Sequence, residues 1–462
     1  VATLVATAAV APRVTAAQAT DTLHPTARLL VELLRLDTSN PPGNEGRVAD
    51  HLAPIFRAAG FEVSIVPTPQ PGKAHFIARL RGDGSKRPVL LAAHADVVGV
   101  EREKWSVDPF AGVVQDGYVY GRGAIDFKGG LAVFARAALE LAERKVPLAR
   151  DVILVAEADE EGGLYNTGWL ARDHWAAIDA EFALNEGGWI VQGDDGRVRY
   201  VSISTADKTT HSIVLATRGT STHSSMPLPD NAIVRLARAL ARLGDWQTPV
   251  ELVPGTRRFF RTLAETSTGA AAQHFRDLIS DDPARVARAD AALAADPLLH
   301  AIMRNTVAPV IAQAGFRANV IPGSAEATLN ARLLPGVSPE RVIGEIRRVI
   351  ADTLVEVRLG SAARSMPDIA PSSEETALYQ ALEARAKAAY PGALVTPYVF
   401  QAFTDAGAWR SRGVPVYGIY PYAITAGDLR RMHGNDERVR IDALAAGTAL
   451  IHQVLLDVAA KR

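Results

Sequence analysis

Seven side chains of this chain are of types that do hydrolytic or metal chemistry, and each stands at a strand end or in a loop. His94 and Asp96 close Leu91-Ala-Ala-His-Ala-Asp-Val-Val98. They are two positions apart, which on an extended strand turns both to one face. Such a pair serves either as a metal ligand with its orienting carboxylate or as a base with its orienter. Asp126 sits in Gly121-Arg-Gly-Ala-Ile-Asp-Phe-Lys-Gly-Gly130, where glycines allow tight backbone turns. This stretch lacks the lysine-hydroxyl ending of a phosphate loop and the glycine spacing of a dinucleotide site. Asp159, Glu160 and Glu161 follow the apolar run Val152–Ala156 and repel one another unless water or a positive charge lies among them. Glu186 ends Phe182-Ala-Leu-Asn-Glu-Gly-Gly188, and His433 lies in Met432-His-Gly-Asn-Asp-Glu-Arg-Val439.

Taken singly, these are a polar strand end, a solvated acidic loop and a loop histidine. Taken together, two imidazoles and several carboxylates with no thiolate suit zinc, cobalt or manganese in a hydrolytic centre rather than a structural zinc knot. Calcium would prefer oxygen ligands throughout, so the histidines count against it. With two of the seven set aside as orienter and base, five ligands remain. That is more than one four-coordinate ion needs, and it suits two ions sharing a carboxylate at roughly 3.5–4 Å.

The elements that must position these groups alternate between helix and strand. Helices are expected over 24–36, 45–59 and 131–142, with the paired prolines of Asp37-Thr-Ser-Asn-Pro-Pro-Gly-Asn44 ending the first. Strands are expected over 61–66, 75–80, 91–98 and 152–156, with a hairpin up to Tyr120. This order predicts an α/β domain with a mostly parallel sheet and sites beyond the strands' C-terminal ends. From about Thr205 the pattern changes. Residues 211–216 alternate weakly, like an edge or lid strand; 231–243 and 339–354 read as helices, and 306–312, 325–333 and 355–359 as strands. Set apart from a helical insertion over about 246–300, they give the β-α-β-β-α-β order of a ferredoxin-like α+β domain. The expected organisation is therefore 20–204 and 362–462 as one catalytic domain, interrupted by a lid or dimerisation domain over 205–361. Strands over 397–403 and 414–417 and helices over 374–390 and 441–460 return the chain to the first domain.

The 462 residues carry 50 Lys plus Arg against 51 Asp plus Glu, which gives no reason to expect nucleic acid as partner. Without cysteine there are no disulfides, no thiolate metal sites and no cysteine nucleophile. Residues 1–19 resemble the remnant of a signal peptide, with an apolar Val1–Val10 run and the small-x-small Ala17-Gln-Ala19. A periplasmic or secreted protein is the expectation and a cytoplasmic one the alternative. The run is too short for a stable membrane anchor.

The stretches His94-Ala-Asp96, Gly121–Asp126 with Lys128-Gly-Gly130, Asp159-Glu-Glu-Gly162, Asn185-Glu-Gly187, Gly219–His223 with Ser224-Ser225, Asn319 with Val320-Ile-Pro322, Arg332 and His433-Gly-Asn435 occur in one order. In this the chain resembles the dinuclear zinc metallopeptidases and amidohydrolases, a family that includes glutamate carboxypeptidase, carboxypeptidase S, aminoacylase and secreted N-acyl amino acid hydrolases. The resemblance implies two Zn²⁺, with Co²⁺ or Mn²⁺ as substitutes. Asp126 would bridge them, with His94 and Glu186 on one ion and Glu161 and His433 on the other. It implies Asp96 as the orienter of His94, Glu160 as general base, and His223 as the lid histidine that stabilises an oxyanion in a partner subunit's site. It also implies Asn319 and Arg332 as substrate-binding residues, the arginine on a free carboxylate. Thr404 and Asp405 would form part of the substrate wall, but Ala402-Phe403 replaces the glycine pair usual before them.

The resulting expectation is a dizinc enzyme that hydrolyses an amide or peptide bond next to a free amino acid carboxylate, on a short peptide or an N-acyl amino acid. An aminopeptidase or dipeptidase of the same chemistry is the alternative, and a metal-binding protein without activity is a third reading. A homodimer formed through the inserted domain is the expected assembly.

Overall fold

The computed structural model describes residues 22–360 and 369–461, so the signal-peptide reading of residues 1–19 falls outside the described residues. The strand Val89–His94 is buried along its whole length, as is Val152–Glu157 beside it. Because strand side chains alternate, Leu91, Ala93, Leu154 and Ala156 face one core while Leu90, Ala92, Ile153 and Val155 face another. The first core is covered by helices Lys128–Glu143, Ala377–Ala389 and Ile441–Ala459, the second by Thr167–Ile178 and Gly407–Arg410. Each fully buried leucine here contributes about 1.5–3 kcal/mol relative to an exposed one. Ile441–Ala459 is long and apolar enough to cross a membrane, yet it packs on Lys128–Glu143 inside the core.

The central sheet runs in the order Glu62–Pro67, Ala74–Leu80, Val152–Glu157, Val89–His94, Phe182–Asn185, Val416–Gly418, Val198–Asp207, Ile190–Gln192 and Ala423–Thr425, with Leu394–Phe400 also paired to Val198–Asp207. Val152–Glu157, Val89–His94, Phe182–Asn185 and Val416–Gly418 are mutually parallel, while Ala74–Leu80 on one side and Val198–Asp207 on the other pair antiparallel with their neighbours in this order. The expected α/β class with a mostly parallel sheet is what the structure shows. Val198–Asp207, ten residues long, has no counterpart among the expected strands: its buried stretch, 201–206, includes Ser202, Ser204 and Thr205, so it shows no apolar run.

The second sheet comprises Thr306–Ala314, Ser324–Leu333, Thr209–Arg218 and Val355–Leu359, all antiparallel, with helices Ala232–Gly244 and Pro339–Ile350 over one face. Asn231 and Ser338 cap those helices by accepting from their first-turn N–H groups. Thr209–Arg218 is an interior strand of this sheet, not an edge strand as its weak alternation suggests; its residues 213–217 are paired on both sides. The helical segment beginning at Pro254 packs away from this sheet. Phe259 meets Tyr200 and Tyr398 of the central sheet at ring-centroid distances of 5.6 and 5.4 Å.

Candidate active site

Strand Val89–His94 ends at His94, so Asp96 lies one step into the following loop rather than on the strand. His94 is 1% exposed, and its Nδ1 lies 2.9 Å from the Asp96 backbone carbonyl and 3.7 Å from the Asp96 carboxylate. The backbone carbonyl thus fixes the ring, leaving Nε2 to face Asp126 Oδ1 at 3.0 Å and Glu186 Oε2 at 3.7 Å. The Asp96 carboxylate does something else. It accepts the backbone N–H groups of Glu160 and Glu161, at 3.2 and 3.0 Å, and the Asn40 amide at 2.8 Å. It therefore sets the position of the acidic loop.

That loop turns on Asp159, whose backbone is left-handed at φ 66°. Asp159 is held by a buried ion pair with Lys73 and by the same Asn40 amide, at 2.9 Å, and it accepts the N–H groups of Leu164 and Tyr165. Burial works against the Asp159 carboxylate, but the hydrogen bonds from Lys73 and Asn40 outweigh it and hold its pKa below the ordinary value. Asn40 is thus bonded to both Asp96 and Asp159. Beneath the loop, His75 Nδ1 accepts the N–H of Ala158 at 3.1 Å and Nε2 donates to the Tyr165 carbonyl at 2.8 Å.

Asp126 is anchored from behind by Glu437, which accepts the N–H groups of Gly123, Ile125 and Asp126 and pairs with Arg122 at 2.6 Å. Its carboxylate points forward, with Oδ1 toward His94 and Oδ2 3.0 Å from His433 Nε2. His433 Nε2 also lies 3.0 Å from Glu161 Oε1. Glu186 follows the buried strand Phe182–Asn185 and is itself followed by two glycines of positive φ; a Cβ on Gly188 would stand 2.4 Å from the Ser202 carbonyl. The Tyr420 hydroxyl donates to Glu186 at 2.9 Å and lies 3.2 Å from Asp126.

The electrostatics are those of a site short of positive charge. Burial raises Glu186 to about 7, and burial with neighbouring Glu186 raises Glu160 well above its ordinary value. His433 is pushed up to about 10, chiefly by its hydrogen bonds to Asp126 and Glu161. Burial would lower His94, but Glu186 and Asp126 raise it well above the usual histidine range. Three groups of donors converge closely enough to hold a metal ion: His94, Asp126 and Glu186; Asp126, Glu161 and His433; and His94, Glu160 and Glu161. Four carboxylates facing two imidazoles outnumber the positive charges that protonated imidazoles could supply, and divalent cations suit that donor set.

A cavity of about 300 Å³ opens over the cluster, walled by Arg332 and Thr210 of the second domain and by Phe400, Ala402, Phe403 and Met432 of the first. Arg332 donates to Thr210 Oγ1 at 2.7 Å and to Asn330 Oδ1 at 3.0 Å. The structure thus brings His94, Asp96, Asp126, Glu160, Glu161, Glu186, His433 and Arg332 together. It does not bring the others. His223 is exposed in the short ladder with Val320–Ile321, its Nδ1 accepting from the N–H of Ser225, and Asn319 is exposed beside it with its carbonyl accepting from Ser224. Thr404 is buried against Asp207, and Asp405 lies beneath the site among groups that include Glu157. Ala402 and Phe403 occupy the wall where those two residues were expected. Lys128 reaches the Leu33 and Leu36 carbonyls at the end of the first helix, away from the cluster.

Asn40, Lys73, Tyr420 and Glu437 were not singled out by sequence. Asn40 and Glu437 stand inside stretches that were noticed, but nothing in their spacing links them to the site. A model of Peptidase family M20/M25/M40 matches residues 90–457. The chain belongs to this family. Within it, the chain is 28% identical over 397 residues to the N-fatty-acyl-amino acid synthase/hydrolase PM20D1 of Homo sapiens, covering 83% of this chain and 76% of that protein. It is 30% identical over 367 residues to the probable carboxypeptidase S-like 2 of Dictyostelium discoideum, covering 78% and 69%. The M20 family metallo-carboxypeptidase Sso-CP2 of Sulfolobus solfataricus superimposes with a TM-score of 0.72 at 20% identity, over 94% of this chain and 99% of that one. That likeness shows the shared fold. As a member of the M20 family, the protein is a metal-dependent hydrolase of amide bonds.

Proposed function

We propose that the chain hydrolyses the amide bond next to a free amino acid carboxylate, and that N-acyl amino acids with an apolar acyl group are its preferred substrates. The observation that carries this reading is Arg332, a guanidinium on the same cavity wall as the two-histidine acidic cluster. A guanidinium held by Thr210 and Asn330 is suited to a carboxylate. Across the cavity, Phe400, Phe403 and Met432 offer apolar surface to an acyl chain. The names of the relatives, an N-fatty-acyl-amino acid hydrolase and a carboxypeptidase S-like protein, agree with an acyl or peptidyl group on one side and a free carboxylate on the other.

In this reading His94, Asp126 and Glu186 hold one zinc ion, and Asp126, Glu161 and His433 the second. Two bound ions would supply Lewis-acid polarisation of the amide carbonyl and acidify water at neutral pH. Glu160, buried at the cavity floor with its backbone fixed by Asp96, is the general base. Its carboxylate receives a proton from water and returns it to the leaving nitrogen. Tyr420 holds the Glu186 carboxylate in place through its hydroxyl.

The exposed positions of His223 and Asn319, outside this chain's own cavity, support a homodimer in which each lid completes the other subunit's site; sedimentation velocity of the wild type and H223A measures the pairing, and steady-state kinetics of H223A the loss of activity expected with the dimer intact. The apolar Val1–Val10 run and Ala17-Gln-Ala19 support export, which N-terminal sequencing of the mature protein tests. The central test is a panel of dipeptides and N-acyl amino acids with either terminus blocked. Cleavage of N-blocked substrates with a free carboxylate supports the proposal. Cleavage confined to substrates with a free amino group replaces it with the aminopeptidase or dipeptidase reading.

A further inference from the structure

Phe403 belongs to none of the buried apolar clusters of the described residues. Phe400, three residues earlier, sets its ring against Trp189 and Tyr420 at centroid distances of 5.7 and 6.3 Å. The Phe403 side chain is only half-buried and has no aromatic neighbour among the described residues. A phenyl ring kept out of the core forgoes the burial that would stabilise the fold, so packing does not account for its place. Its backbone is nonetheless fixed. Phe403 lies in the loop between strand Leu394–Phe400 and helix Gly407–Arg410, and the next residue, Thr404, is buried, with Oγ1 donating to Asp207 at 2.6 Å and accepting the Ala406 N–H at 3.2 Å.

The Phe403 side chain lines three cavities. One is the metal cavity. A second, of about 230 Å³, is a groove between helices Thr167–Ile178 and Gly407–Arg410, with Ala171 and Ala408 in its walls. The third, beside Lys208 and Arg410, measures about 30 Å³ and has room for little more than water. Among the described residues, Phe403 is the one residue that lines both the metal cavity and the groove. The groove's walls are tied together, because the Trp409 indole donates to the Ile178 carbonyl at 3.0 Å. The cations at its exposed rim are engaged elsewhere: Arg172 pairs with Asp173 at 3.1 Å, and Arg412 lies over the Trp175 ring at 4.5 Å. The groove therefore offers apolar walls rather than an ion site.

We propose that Phe403 is a specificity-determining residue, whose ring closes the metal cavity toward this groove and so limits the length of acyl group the enzyme accepts. A longer chain would run past this position into the groove. The inference rests on the N-acyl amino acid reading given above, and it adds the residue that sets the acyl-length limit.

Steady-state kinetics of the zinc-loaded full chain with N-acetyl-, N-hexanoyl- and N-dodecanoyl-alanine test it. The readout is the ratio of kcat/KM for dodecanoyl over hexanoyl within each variant, so any loss of folded protein cancels. Each methylene moved from water into an apolar groove is worth about four-fold, and the ratio should rise at least ~10-fold in F403A. F403L, the smaller cut, should show a smaller rise in the same direction, which covers misfolding of F403A. S411W refills the groove from an exposed position on its lining. F403A/S411W should return the ratio to within about two-fold of wild type, and S411W alone should leave it there. A ratio unmoved by F403A and F403L overturns the inference while leaving the hydrolytic reading in place, and so does a gain in F403A that survives S411W. Wild-type enzyme that cleaves none of the three substrates removes the hydrolytic reading, and this inference with it.

Discussion

The Nε2 atom of His433 stands 3.0 Å from an oxygen of Glu161, across 272 residues of sequence. Its neighbour Glu160 does not share that contact and is buried deeper, with only its backbone tied to Asp96. Two adjacent carboxylates therefore face different partners. E160Q is expected to keep a near-full metal complement while kcat falls at least ~100-fold, whereas E161Q loses metal. Metal analysis beside steady-state kinetics reads both; an E160Q protein empty of metal would exchange the two roles.

Asp126 offers one oxygen to the His94 side and the other to the His433 side. D126A should therefore lose both ions, while H94A and E186A each lose one and retain the other. Equilibrium dialysis followed by elemental analysis gives the stoichiometry. One ion remaining in D126A would show that the carboxylate is not shared.

Asp96 acts on the loop as well as on the histidine. In D96N one acceptor oxygen becomes a donor facing backbone N–H groups of Glu160 or Glu161 or the Asn40 amide. Metal affinity should fall about 10- to 100-fold, measured by competition with a chromophoric chelator, with the fold intact by circular dichroism.

Lys73 and Asp159 form an ion pair with both side chains 2% exposed. K73M leaves the Asp159 carboxylate buried without its cation, at an expected cost of about 3–5 kcal/mol in chemical denaturation. K73M/D159N removes the stranded charge and should recover part of that loss. Equal stability of the single and double variants would mean that the charge is satisfied by Asn40 and the loop N–H groups alone.

His75 gives a pH signature. Burial lowers its pKa from 6.5 to about 4, so the folded protein keeps it neutral where the unfolded chain binds a proton. Its contribution is complete above about pH 6.5 and is lost as pH falls toward 4, amounting to about 3 kcal/mol. H75Q cannot titrate, so its stability should change less over that window. Denaturant midpoints at pH 7, 5.5 and 4.5 for both proteins measure the difference.

Local signals carried much of this protein. Apolar runs of strand length that end in His, Asp or Glu marked the C-terminal ends of the buried strands, because a parallel strand covered on both faces must be apolar throughout and can place a polar group only where it emerges. His94, Glu160, Glu161 and Glu186 were legible for that reason, and Asp126 through the glycines around it; the strands and helices of the second, antiparallel sheet were legible from their own patterning. Val198–Asp207 escaped because its buried stretch carries Ser202, Ser204 and Thr205 in place of an apolar run. What tertiary structure alone decided is which residues complete the site. Asn40 reaches Asp96 and Asp159, Glu437 gathers the backbone before Asp126, and Tyr420 reaches Glu186, all across long stretches of chain with no shared period. It also turned Thr404 and Asp405 inward and left Phe403 at the wall. Sequence determines which face of a strand or helix a side chain takes, since that follows from backbone geometry over a few residues. Which distant loop meets it depends on how the layers pack, and packing is set by the whole core at once.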